Sequence, residues 1–491
     1  MAMNARTLVV SLACLALTPA ANAVSLSQNG AGQALLYPYY TVQGENNTLF
    51  SIANPWYGRL GQFKAVKVRF REHRNGRPVA DFNLYLAPGM VFTGMVTRNP
   101  EGRPILVTQS PACTVPRFAP STAMPGWTEL PFSNAAYAGY DRAGSGIERA
   151  REGYFEAIEM GKVYEGFALP NGKSLWTALQ YAGPNLIVDS QDCGAVAAAW
   201  ATGGAFRTSG GAELLPPAGG LFGMGTIINV PQGTDYSFDP VALDGFSTLP
   251  HHTAPGDMSP NLGDADPVSL VTVGNVAHVS TWNNGRDAVS ATLARAKVLN
   301  EYIDKTPQLD AATDIILTFP TKGLHVVRES DGGQFTSPPF SAEFDDLLPA
   351  GQGASGDPLA DGTSRGACEP IYMNRYAPDG RQNSVAGGLN FPGPFPIDPR
   401  SACWATSVFS FGNVLDAQSR TDISQYFATP YGWIGIEFPS PPAILTSREG
   451  HRHVGLPVIG FAIEKYVNGN LNGVLSNYGG TLAHKYFTVV E

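Results

Sequence analysis

Charge is scarce in this chain. Asp, Glu, Lys and Arg make up 15% of its 491 residues, against roughly 25% in an average soluble domain. With 43% hydrophobic residues, this balance excludes an intrinsically disordered chain, which needs high charge and little apolar content. It also excludes a coiled coil or long helical bundle, whose composition runs to Ala, Glu, Lys and Leu. Basic residues are the minority among the charges, 32 Lys and Arg against 41 Asp and Glu, for a net charge of −9. Such a surface carries no electrostatic footprint for nucleic acid. Beyond residue 23 no apolar run approaches the roughly 20 residues of a spanning helix. An outer-membrane barrel is disfavoured by 39 Pro and by a chain that ends Val489-Val490-Glu491 rather than on an aromatic residue.

Turn formers, in contrast, are abundant. The 55 Gly and 39 Pro follow no three-residue period, so collagen is excluded and a turn-rich, mostly β body is expected. Arg6, the apolar run from Leu8 to Leu17 and Ala21-Asn22-Ala23 form an export signal over residues 1–23, with small residues flanking the cleavage site. Cys14 lacks the lipidation context, because Ser11-Leu12-Ala13 has no aliphatic first residue. The mature chain would start at Val24 with a net charge of −10, since Arg6 is lost.

Four cysteines then remain, Cys113, Cys193, Cys368 and Cys403. An even number in an exported protein reads as disulfides with three connectivities. Pairing of sequence neighbours, Cys113 with Cys193 and Cys368 with Cys403, would staple each half. None lie at C-x-x-C spacing, which argues against a zinc site.

Period-two alternation is clearest in Lys64–Glu72, where Val66, Val68 and Phe70 alternate with Lys67, Arg69 and Arg71. Phe82, Leu84 and Leu86 continue it in the next strand, and Asn75-Gly76 supplies a hairpin turn. A strict two-residue turn would mix the faces. One extra residue restores them, pairing Phe70 with Phe82, Val68 with Leu84 and Arg71 with Asp81. Strands at 35–42, 48–53 and 91–96 complete a five-strand pattern typical of an immunoglobulin-like β-sandwich. One or two short helices are expected. The first is 193–200, capped by Asp192; the second is 287–303, with Val289, Leu293, Ala296, Leu299 and Ile303 on one face. The organisation read from these signals is an N-terminal sandwich region over 24–246, a linker over 247–267 and a C-terminal β-rich region over 268–491. A polar, Gly-rich stretch at 330–366 reads as a long loop.

Chemistry-bearing patterns are few. Gly351, Gly353 and Gly356 match G-x-G-x-x-G, but Asp357-Pro358 follows where a helix is required, so a turn is expected. The G-x-S-x-G nucleophile elbow is absent, as is H-E-x-x-H. Glu449, His451 and His453 share one face of an extended segment and form a candidate first-row transition-metal set, against a solvated hairpin tip beside Arg448 and Arg452. His251 and His252 lie near Asp257, Asp264 and Asp266, carboxylates that suit Ca²⁺ chemically but fit no calcium-loop spacing. Aromatic clusters at Tyr37-Pro38-Tyr39-Tyr40 and Tyr431-Gly432-Trp433 nominate Tyr39 and Trp433 for a carbohydrate platform, against ordinary core packing. The basic face Lys67, Arg69 and Arg71, with Arg74 and Arg77, suits an acidic glycan or is simply the wet side of a sheet.

Gly32-Gln33-Ala34-Leu35-Leu36-Tyr37-Pro38-Tyr39-Tyr40, Lys64 to Glu72 and Asp81-Phe82-Asn83-Leu84-Tyr85-Leu86 resemble a family of exported, β-rich proteobacterial proteins with no known activity. Echoes at 152–161, Thr318-Phe319-Pro320-Thr321-Lys322 and Gly455 to Phe461 extend the likeness over most of the mature chain. The resemblance implies export and a β-rich body; it carries no catalytic or binding residue. The expectation is therefore a non-enzymatic exported protein, periplasmic, secreted or at the cell surface. It would act by binding a protein or glycan, or by self-assembly. The alternatives are a dedicated glycan-binding module and a hydrolase whose site has no recognisable motif.

Overall fold

The structure, a computed structural model, describes residues 22–55, 62–139, 143–169, 171–179, 192–306, 309–328, 334–341, 368–380, 401–424, 429–439, 443–471 and 473–491. The expected export signal, Asn22 and Ala23 apart, lies outside the described residues. So do the G-x-G-x-x-G segment and, apart from 334–341, the 330–366 stretch.

Strands hold 48% of the chain and helices 10%, so the fold is all-β and sandwich-like. In the first half an eight-stranded sheet runs β1 (Ser25–Leu26), β15 (Val241–Asp244), β2 (Ala34–Thr41), β11 (Glu152–Val163), β4 (Lys64–Glu72), β5 (Pro78–Leu86) and β8 (Cys113–Val115), with β12 (Leu214–Leu215) on β11. A seven-stranded sheet runs β14 (Thr234–Phe238), β13 (Phe222–Asn229), β3 (Asn46–Ala53), β6 (Val91–Arg98), β7 (Pro104–Thr108), β10 (Thr128–Pro131) and β9 (Ala119–Pro120). Their facing aromatics build the core. Phe155 stacks on Tyr37 at 4.1 Å and on Phe70 at 4.4 Å, and Phe50 meets it edge-on at 4.8 Å.

The two larger sheets of the second half, among the described residues, have five and four strands. One runs β22 (Arg420–Asp422), β21 (Thr406–Phe411), β19 (Asp310–Thr318), β24 (Ile459–Val467) and β25 (Tyr478–Ala483). The other runs β20 (Tyr372–Tyr376), β23 (Tyr431–Glu437), β18 (Lys297–Ile303) and β26 (Lys485–Phe487). A hairpin, β16 (Val268–Val273) and β17 (Val276–Thr281), precedes them. The halves share a core in which Ile316, Val408, Leu415 and Phe461 pack with Tyr37, Phe50 and Phe155. Both disulfides join sequence neighbours, Cys113–Cys193 and Cys368–Cys403, and fit an oxidising compartment.

Three expectations are corrected. The helix placed at 287–303 ends at Leu293, and Lys297–Ile303 is strand β18. Its residues satisfy both periods: Val298, Asn300 and Tyr302 alternate inward, and pairing with β23 and β26 decides for the strand. The β4–β5 hairpin keeps its faces through a bulge, but in a register shifted by two. Val68 faces Phe82 and Arg69 faces Asp81. The Glu72 carboxylate accepts the backbone N–H groups of Arg74, Asn75 and Arg77, which fixes a wider turn and moves the extra residue to the β5 side.

The basic face of β4, finally, is neither wet nor open to a glycan; every residue of the strand is buried. Glu156 on β11 accepts from Arg69 at 3.1 Å and Arg71 at 2.9 Å, while Asp81 pairs with Arg69 at 2.9 Å. Part of 247–267 covers this layer. Lys67 donates to the Ala254 carbonyl, Asn83 to that of Thr253, and Arg69 to those of Asp257 and Pro260.

Candidate ligand-binding face

The sheet β20–β23–β18–β26 has one face against a core and one toward solvent. Val298, Tyr302, Ile434 and Ile436 point inward. Alternation therefore sends their neighbours outward, and the register sorts them into rows. Tyr372, Glu437, Lys297 and Phe487 form the first row across four strands. Asn374, Gly435, Leu299 and Lys485 form the second, and Tyr376, Trp433 and Glu301 the third.

Geometry makes the first row a groove with aromatic ends and a polar centre. Tyr372 is 59% exposed and Phe487 56%. Between them Lys297 Nζ donates to Glu437 Oε1 at 2.6 Å, and Asn374 Nδ2 donates to the same oxygen at 2.8 Å. Gly435 lets Lys297 lie flat: a Cβ there would stand 2.5 Å from Lys297 Cε. The depression along this row, about 490 Å³, is also lined by Phe438 and Pro439. In the third row Tyr376 and Trp433 stack at 3.7 Å with planes 8° apart. Flat apolar faces flanking a carboxylate, an ammonium and an amide can cover a ring's C–H face while exchanging hydrogen bonds with hydroxyls.

Of the two aromatics nominated from sequence, Trp433 lies on this face and Tyr39 does not. Tyr39 is fully buried in β2 and donates to Glu152 Oε2 at 3.0 Å. Burial, with the Glu152 charge, pushes its phenol well above the ordinary range. The whole of β2 is buried, as its nearly continuous apolar run fits. Sequence reasoning missed Tyr372, Phe487, Lys297, Glu437 and Asn374. Their signal is a register between distant strands, and reading 287–303 as helix hid the strand that carries Lys297.

His451 and His453 converge on the Ser280 hydroxyl, at 3.1 Å from Nδ1 and 2.9 Å from Nε2. Glu449 turns away to accept from the Thr281 N–H. The ring of His278 stands edge-on to His451 at 5.6 Å. Among the described residues, no group of three or more His, Cys, Asp or Glu side chains is arranged to hold a metal ion. The acids near His251 and His252 are engaged by backbone N–H groups: Asp257 accepts from Ala254 and Asp264 from Asn261 within turns, and Asp266 accepts from Thr248 across the segment.

Two buried polar sets resemble catalytic groupings. Glu213 bonds His252 Nδ1, His252 Nε2 meets the Tyr85 hydroxyl at 2.8 Å, and Trp200 donates to that hydroxyl at 2.8 Å. Glu213 and His252 have no exposed side-chain surface, and burial pushes the imidazole pKa down despite the carboxylate. Ser290 meets His325 Nε2 at 2.8 Å, but Nδ1 faces Ser337 at 3.1 Å instead of an orienting carboxylate. Both Ser290 and His325 are fully buried. Sealed from solvent and, Glu213 Oε2 apart, hydrogen-bonded, these groups act as core polar networks.

Comparison with protein-family models, curated proteins and solved structures returns no match to this chain.

Proposed function

We propose that this is an exported, non-enzymatic binding protein that holds a glycan on the outer face of the β20–β23–β18–β26 sheet. The observation that carries this reading is the first row, where two exposed aromatic rings bracket the Lys297–Glu437–Asn374 centre. Two disulfides support export, and the periplasm or the cell surface is where such a ligand is met. Affinity electrophoresis against a polysaccharide panel tests the reading. Retardation should appear with one glycan class and weaken about tenfold in Tyr372→Ala and Phe487→Ala, as the loss of a contact aromatic entails. Retardation unchanged in both variants, or absent with every polysaccharide, rejects it.

Self-assembly or a protein partner is the second reading, favoured by one patch. On the solvent face of the seven-stranded sheet, Leu49, Val91, Phe222 and Met224 are 37–48% exposed. The register places Phe222, Ala53 and Val91 in one row, with Met224 and Leu49 on the same face. Contiguous exposed apolar surface of this kind marks interaction sites. Sedimentation of the purified chain tests it: a larger species dispersed by Met224→Lys supports assembly, and a monomer at all concentrations rejects it.

A further inference from the structure

Arg295 belongs to a two-residue strand, Ala294–Arg295, just before β18. It is only 5% exposed. Its Nη1 donates to the carbonyls of Thr292 and Ala294, at 3.2 and 2.8 Å, and to Thr488 Oγ1 at 3.4 Å. The Tyr486 ring covers one face of the guanidinium at 4.0 Å. Among the described residues no carboxylate pairs with it, and Nε and Nη2 make no hydrogen bond. Neither atom is sealed from solvent. A buried guanidinium without a counter-ion is costly, and carbonyls with one aromatic face offset that cost only in part.

Solvent reaches Arg295 from two adjoining cavities, one of about 390 Å³ and one of about 550 Å³, with Leu26, Arg295 and Tyr486 lining both. These sizes are typical of ligand pockets. The first is apolar. Phe238 stacks on Phe461 at 4.6 Å in its wall, beside Val298 and Val458. The second is polar, with Ser27, Asn29 and Thr488. Among the described residues Arg295 is the sole Lys or Arg lining either cavity. His484 in the first donates Nε2–H to the Ile316 carbonyl. Asp239 lines the first cavity and Asp244 the second, so a polyanion would be repelled.

We propose that this cleft binds an amphipathic monoanion, with its carboxylate on Nε and Nη2 of Arg295 and its apolar body against Phe238, Phe461, Val298 and Val458. The free edge of the guanidinium presents two parallel N–H donors, the fork that a carboxylate matches in plane. Tyr486 fixes that plane and leaves the edge open. The site lies on the opposite side of the sheet from the glycan face, since β26 sends Phe487 to the outer surface and Tyr486 to this side.

Titration calorimetry on the full, disulfide-intact chain with decanoate, decanol, decylammonium and acetate tests the proposal. Decanoate should bind once per chain. Decanol and decylammonium should bind about tenfold more weakly or worse, as losing a charge-assisted pair entails. Acetate, lacking the apolar body, should give no measurable heat. Arg295→Met should bring decanoate down to the level of decanol. Ala483→Trp places a large ring at an exposed position of the first cavity's lining, so it tests occupancy without disturbing the core; it should abolish decanoate binding at an unchanged melting temperature. The proposal is overturned if decanoate binds no tighter than decanol, if Ala483→Trp leaves binding intact, or if no heat appears.

Discussion

Glu156 offers the sharpest test of how the first sheet is held together. Its Oε1 accepts from Arg69 Nη1 at 3.1 Å, Arg71 Nη2 at 2.9 Å and Arg71 Nε at 3.3 Å. The side chains of Glu156 and Arg69 are 1% exposed and that of Arg71 10%. Glu156→Ala strands two cations unequally. Arg69 keeps Asp81 and the Asp257 and Pro260 carbonyls, whereas Arg71 keeps the Gly76 carbonyl. Removing one partner of a buried pair costs about 3–5 kcal/mol. Urea unfolding, followed in parallel by tryptophan fluorescence and far-ultraviolet circular dichroism, should then show a midpoint lowered by about 1 to 1.7 M, for a slope near 3 kcal/mol/M. Glu156→Gln keeps an acceptor without the charge and should lose about half as much, because charge-assisted bonds are roughly twice as strong as neutral ones. Adding Arg71→Met to Glu156→Leu should recover much of the loss, since an apolar replacement removes the unpaired cation as well. A loss below about 1 kcal/mol in Glu156→Ala would refute the reasoning, because an open, solvated basic stripe behaves that way.

Three further outcomes are expected. Burial pushes the Glu72 carboxyl up, but the Arg149 guanidinium, His73 and the Arg77 N–H outweigh it and hold the group at about 2. A depressed carboxyl stabilises above its unfolded value of 4.5, and the benefit is lost as pH falls from there toward 2; the stability gap between wild type and Glu72→Gln should close over that window. His453 is pushed down to about 4, by burial first and then by His451 and His278. Its unfolded form takes up a proton that the folded form refuses, so stability is intact above pH 6.5 and declines toward pH 4. His453→Phe should remove about one proton's worth of that slope in a melting series. Replacing Cys113 and Cys193 by Ser opens a link across 80 residues and should cost about 4.5 kcal/mol of chain entropy. The Cys368–Cys403 pair, across 35 residues, should cost about 0.7 kcal/mol less, and equal losses from the two pairs would contradict the loop-length argument.

Short-range features were legible in the sequence because their cause is local. Period-two alternation marked β4 and β5, Asp192 capped the helix at Cys193–Ala199 by accepting from the Ala195 N–H, and both cysteine pairs joined neighbours. What alternation could not reveal is the layer above a face. Lys67, Arg69 and Arg71 read as solvated because nothing nearby announces that Glu156 lies on a strand more than 80 positions away or that Thr253 to Pro260 crosses over them. The 287–303 segment shows the same limit. Val289 and Leu293 belong to a real helical face, but Leu299 and Ile303 continue that spacing by coincidence while Val298, Asn300 and Tyr302 form an equally good strand face. Cross-strand partners decided between them. Trp433 was found because aromatics clustered in sequence; Tyr372 and Phe487, 115 positions apart, were brought together by β23 and β18 alone.

The second sheet of the C-terminal half thereby separates two chemistries across one backbone. On its outer side the polar centre Lys297–Glu437 is neutralised within itself, which suits an uncharged, hydroxyl-rich ligand better than an ion. On its inner side Arg295 has no such partner, which suits an anion and little else. The edge strand β26 takes part in both, because consecutive residues point to opposite faces: Phe487 closes the outer row and Tyr486 roofs the guanidinium. An edge strand is the least tethered part of a sheet, and among the described residues β26 is paired on one side only, through Lys297, Val298 and Leu299. Occupancy of the inner cleft would hold Tyr486 against its ligand and, through the same three residues, fix the exposed Phe487 ring. The two proposed sites differ in chemistry and share one mechanical element, so affinity at either should be read with the other both empty and filled.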